Sequence, residues 1–103
     1  MTPVEFRSSR PDKLQGSLLA LWWDAHGNWE KAHEVAQDVE DIEGAWVHAY
    51  LHRKEGDTSN AGYWYQSAGR KAFEGSLHAE WTALAVHLLA AGKESPAKRV
   101  PTT

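Results

Sequence analysis

The chain has 103 residues, no cysteine and a formal charge of −3. That length suits one domain with a thin core, and the lack of thiols excludes a disulfide scaffold, a Cys-ligated zinc site and thiol catalysis. The negative balance argues against a dedicated nucleic-acid binder. No apolar run approaches the ~18–20 residues of a membrane span, and residues 1–13 lack the apolar core of a signal peptide, so a soluble, cytoplasmic domain is expected.

Fifteen Ala and nine Leu stand against six Val and one Ile. Ala and Leu favour helices and β-branched residues favour strands, so the chain reads as all-α. In chain order, residues 1–10 carry Pro3 and two Arg without periodicity and read as a flexible arm. Residues 11–92 read as a single helical domain of about five helices. Asp12 and Gln15 have the spacing of a capping box, and Leu14, Leu18, Leu21, Trp22 and Ala25 form one helical stripe. Gly27 stops that helix and Asn28 caps the next. This second helix sets Trp29, Ala32, Val35, Ala36 and Val39 against an acidic face of Glu30, Glu34, Asp38 and Asp41.

A third helix is expected after Gly44, with Trp46, Val47, Tyr50 and Leu51 on its apolar side, ending at Gly56. Asp57 or Ser59 caps a fourth, holding Ala61, Trp64, Tyr65 and Ala68. Ser76 caps a fifth, the cleanest amphipathic pattern in the chain, with Leu77, Trp81, Leu84, Ala85 and Leu88. Residues 93–103, with Pro96 and Pro101, read as a disordered tail.

Shifting the chain by 29 residues pairs Ala20 with Ala49, Gly27 with Gly56, Asn28 with Asp57 and Ala32 with Ala61. Small residues at matched places let helix backbones approach closely, and the glycine serves a tight turn. The segments Gly27-Asn28-Trp29-Glu30-Lys31-Ala32 and Asn60 to Ala68 resemble the tetratricopeptide and Sel1-like repeat families. The spacing is shorter than the family period, and Thr58 stands where an aromatic would follow the second turn. The resemblance implies two stacked antiparallel helical hairpins, over 12–41 and 44–68, with the helix at 76–91 capping the end of the second. It also implies a non-catalytic scaffold or adaptor that binds a protein or peptide, or a second copy of itself as a homodimer.

The first helix of each such hairpin lines an inner groove. That would turn Trp46, Tyr50 and Arg53 towards a partner, a composition typical of binding hot spots, with Tyr63 and Arg70 beside them. The competing reading makes Trp46 and Tyr50 plain core. Arg70 and Lys71 beside Tyr63 and Trp64 are too few basic groups for a nucleic-acid surface.

Metal chemistry is the rival. His48 and His52 are four apart on one helix, which is metal-ligand spacing. The bland alternative is two solvated histidines, or histidines bonded to a neighbouring helix. A divalent ion would need a further donor, and His33, Glu30, Glu34, His78 and Glu80 are on offer. Glu30 and His33 form one Glu-x-x-His pair, whereas a di-iron bundle needs two such pairs and two further Glu. No phosphate loop, Gly-x-Ser-x-Gly or Ser/His/Asp pattern appears. No cofactor and no catalytic residue is therefore expected under the leading reading.

Overall fold

In a computed structural model, which describes residues 1–91, the chain is all-α. Six α-helices run α1 Pro3–Arg7, α2 Gly16–Ala25, α3 Trp29–Gln37, α4 Ile42–Lys54, α5 Thr58–Ser67 and α6 Leu77–Ala90, with a single 3-10 turn at Pro11–Lys13. The tail expected at 93–103 lies outside the described residues. Among the described residues no helix is long and apolar enough to cross a membrane.

The turns of the two central helix pairs are built alike. Gly27 and Gly56 adopt φ of +80° and +91°, a region glycine enters without steric cost. The amide of Asn28 donates to the Trp23 carbonyl and that of Asp57 to the His52 carbonyl, each at 2.9 Å, closing each helix end. Asn28 then accepts from the Lys31 amide and Asp57 from the Asn60 amide as N-caps. Ala20, Ala49, Ala32 and Ala61 are all buried. The 29-residue match of the sequence is thus a match of turn chemistry, with α2 packed on α3 and α4 on α5.

The structure departs from the sequence reading at four places. Residues 1–10 are not a loose arm: a capping box between Thr2 and Glu5 starts α1, and the Phe6 ring is fully buried 5.9 Å from that of Trp81. Asp12 and Gln15 form no capping box; the chain turns at Pro11–Lys13, and α2 starts at Gly16 behind Gln15 with no side-chain cap. Gly44 does not precede a helix but sits in the first turn of α4, capped by Asp41. A Cβ at Gly44 would meet the Val39 carbonyl oxygen at 2.6 Å, so its lack of a side chain admits the incoming strand of chain rather than breaking the helix.

The fourth departure bears on function. Helix α6 packs against α4, α2 and α1 instead of capping the far end of α5. It covers the face on which Trp46 and Tyr50 lie, and both are buried. Glu80 of α6, wholly buried, accepts from Trp46 Nε1 at 3.1 Å, Tyr65 Oη at 2.6 Å and Arg53 at 2.8 Å. Arg53 also donates to the Gly75 carbonyl. Tyr50 donates to buried Asp24 at 2.6 Å, and Lys54 pairs with the same carboxylate at 2.8 Å. A buried carboxylate needs this saturation, since an unpaired one costs several kcal/mol. Burial and the adjoining carboxylates push both phenols, Tyr50 and Tyr65, above the ordinary tyrosine range. Trp46, Tyr50 and Arg53 are therefore interior bracing and not an open groove.

Candidate metal centre

Helix α4 carries buried side chains without a break from Gly44 to His52. No solvent-facing flank remains for His48 and His52, so they are not a solvated pair; both are 6% exposed. Their i,i+4 spacing sets the two imidazoles side by side, ring centres 5.0 Å apart and 16° from parallel. Helix α3 packs across this part of α4 and brings His33 to the pair. His33 Nε2 and His48 Nε2 lie 3.0 Å apart and share one hydrogen bond. One ligand nitrogen from each of His33, His48 and His52 lies within 4.8 Å of the other two.

Two indoles close the trio. Trp29 stacks on His33 at 4.9 Å and 9°, and Trp64 stacks on His48 at 4.0 Å and 7°. Trp29 is itself fixed, because its Nε1–H donates to the Leu51 carbonyl at 2.8 Å. The flat ring pairs hold the imidazole planes.

His52 is oriented from outside. Its Nδ1 lies 2.8 Å from Glu55 Oε2; a carboxylate acceptor places the proton on Nδ1, and in the neutral tautomer of that ring Nε2 offers its lone pair. This is the carboxylate–histidine arrangement that fixes tautomer and ring angle at metal sites. Glu55 and Asp57 lie with His52 in a second tight group, although the Asp57 carboxylate also caps α5.

Burial disfavours the charged form of two of the three imidazoles. Burial first, then the charges of His33 and His52, lowers the His48 pKa to about 4. His33 is lowered for the same leading reason, with the His52 charge adding to it and Glu55 opposing. Neutral imidazole is the form that ligates metals.

The geometry suits one ion. Two nitrogens bound at about 2.0–2.1 Å to a tetrahedral centre lie roughly 3.3 Å apart; His33 and His48 are at 3.0 Å. The farthest pair needs to close by at most about 1.5 Å. The His33–His48 pair holds one proton between its Nε2 atoms, so the donating ring must move that proton to Nδ1 before both nitrogens can ligate.

Of the residues singled out as metal donors, His33, His48 and His52 are brought together. Glu30 is not: it is exposed and belongs to neither tight group, because the helical turn that half-buries His33 leaves Glu30 at the rim. Glu55, overlooked in the sequence, takes the carboxylate role. The i,i+3 step from His52 to Glu55 was the available signal. Of the residues expected to meet a partner, Tyr63 is 60% exposed and Arg70 is exposed, its guanidinium 3.6 Å over the Trp46 ring.

No protein-family model, no curated protein and no solved structure matches this chain.

Proposed function

We propose that this chain binds one divalent transition-metal ion through His33, His48 and His52, with Glu55 holding His52 from behind. Three imidazole nitrogens and no sulfur suit zinc, copper or nickel over magnesium or calcium, and zinc is the first candidate for a tetrahedral site. The observation that carries this reading is the convergence of three imidazoles from two helices within 4.8 Å, in an aromatic-walled setting.

The test is metal analysis of the untagged chain, zinc titration, and thermal melting with and without chelator. One equivalent of zinc should bind and raise the melting temperature, since a ligand held only by the folded state stabilises it. His33→Ala and His48→Ala should each abolish the uptake. A chain that binds no zinc, and melts identically with chelator, overturns the proposal.

A second reading, kinship with the tetratricopeptide and Sel1-like repeats and docking of a protein partner, is supported by the duplicated turns and by Tyr63. That ring stands 60% exposed and edge-on to Trp64 at 5.2 Å. Tyr63→Ala should then abolish partner capture or self-association without loss of helicity. Unchanged association would end that reading. It ranks below the metal site because Trp46 and Tyr50, which would have formed its centre, are buried under α6.

A further inference from the structure

A three-histidine centre leaves one position of a tetrahedral ion unfilled by protein. Among the described residues no fourth donor joins the trio; the Glu55 carboxylate is taken up by Nδ1 of His52. Among the described residues, depressions touch two members of the trio. One, along the outer side of α3, touches His33 and is lined chiefly by polar groups, Lys31, Glu30 and Glu34 among them. The other, of about 510 Å³, touches His48 between the α3–α4 connection and α5. Its walls include Val39, Ile42, Ala45 and Trp64; Glu40 and Asp41 stand in its lining, and no Lys or Arg does.

An apolar, aromatic wall with a few polar groups is what a flat small molecule requires. The two carboxylates oppose the approach of anions, which a dipositive ion with three neutral ligands would otherwise attract. Resting on the metal reading above, we propose that the fourth coordination position takes a small neutral nitrogen heterocycle, admitted through the depression beside His48 and lodged along Trp64. The ligand donates one ring-nitrogen lone pair to the ion in place of water; no covalent bond within the ligand changes.

The experiment uses the full chain loaded with Co²⁺, whose visible absorption reports coordination directly. Imidazole and azide are titrated separately at low, constant ionic strength. Imidazole should shift the bands with saturation, and azide should need a higher concentration for the same change. In Glu40→Gln/Asp41→Asn, which keeps an N-cap residue on α4, azide should tighten roughly threefold relative to imidazole, the effect of two charges at the mouth of the site. Bands unmoved by imidazole, azide the tighter ligand in the unaltered chain, or an unchanged ratio in the double variant would each overturn this assignment while leaving the metal site standing. Failure of Co²⁺ to give tetrahedral bands at all would remove the metal site itself, and this inference with it.

Discussion

The α2–α3 and α4–α5 pairs share a turn, a cap and a set of buried alanines at a constant offset of 29 residues, yet only at positions where they differ does chemistry gather. His48 answers to Leu19, His52 to Trp23, His33 to Gly62, Glu55 to His26, Trp29 to Thr58 and Trp64 to Val35. The matched residues are those a tight helical pair needs whatever it does: left-handed glycine, cap, small side chain. The unmatched ones form the imidazole trio and its walls. The shared positions therefore account for the frame, and the candidate site is built where the two pairs differ.

The two pairs are also held to α6 unequally. The second is joined through Glu80, which accepts from Trp46, Tyr65 and Arg53. The first is joined by one bond, from Trp81 Nε1 to the Leu21 carbonyl at 3.1 Å. Glu80→Ala should be the most damaging change, costing about 3–5 kcal/mol in urea unfolding, because it leaves two buried donors, Trp46 Nε1 and Tyr65 Oη, without their acceptor and removes the ion-pair partner of half-buried Arg53. Trp81→Phe, which removes its bond to Leu21, should cost nearer 1–2 kcal/mol. A loss below about 1 kcal/mol for Glu80→Ala would erase the asymmetry.

His48→Leu makes the second pair resemble the first at the register of Leu19. It should abolish zinc uptake, and with it the stabilisation of about 2.7 kcal/mol expected at a hundredfold excess over the dissociation constant. Retained zinc binding in this variant would show that the trio is not the seat of the ion.

The same variant tests the acid response of the metal-free chain. The His48 pKa falls from 6.5 to about 4 on folding, so between those values the unfolded state binds more protons than the folded one. Stability is then complete above pH 6.5 and declines as pH falls towards 4, by roughly 2–3 kcal/mol from this group. His48→Leu should flatten most of that slope in urea midpoints taken across the range. An unchanged slope would place the acid sensitivity elsewhere.

Local features of this fold were legible in the sequence, and features that depend on helices meeting were not. Asn28, Asp57 and Ser76 cap the helices they were expected to cap because a cap acts within three residues of itself. The third helix was expected to follow Gly44, whereas Gly44 lies in its first turn, where it admits Val39 from the preceding connection. Helix α1 was missed because five residues give no periodicity, and Phe6 is anchored by Trp81, far along the chain. The His48–His52 pair was visible as spacing. Its third member depended on how α3 crosses α4, and its burial on α4 being enclosed by α2, α3, α5 and α6, neither of which any local pattern encodes. Whether Trp46 and Tyr50 were a binding face or plain core stayed open in the sequence for the same reason: nothing in α6 announces which groove it fills.

Glu55 sharpens the comparison at smaller scale, since its counterpart is His26. Glu55→Ala should weaken zinc binding about 10–100-fold by freeing the His52 ring, with Glu55→Gln, which still accepts from Nδ1, losing less. Titration against a competing chelator measures both. Equal losses in the two variants would mean that charge, and not orientation of the ring, is what Glu55 contributes.

The finest test asks whether the two turns are energetically the same object. At both Gly27 and Gly56 an added Cβ would meet nothing within 4 Å, so Gly→Ala there introduces no clash. What remains is the left-handed backbone, which costs an L-residue about 1–2 kcal/mol, offset by about 0.4–1 kcal/mol from the stiffer unfolded chain. Each substitution should therefore cost about 1 kcal/mol by urea unfolding of the metal-free chain, and the two costs should agree within about 0.5 kcal/mol, the limit to which distant sites behave independently. Adding zinc should separate them. Gly56 follows Glu55, and the Asp57 amide just after it closes on the His52 carbonyl, so strain there reaches the ligand, whereas the Asn28 amide just after Gly27 closes on the carbonyl of Trp23, which is not a member of the trio. A zinc affinity reduced by Gly56→Ala and untouched by Gly27→Ala would show one turn serving two ends, the same folding task in both copies and a binding task in one.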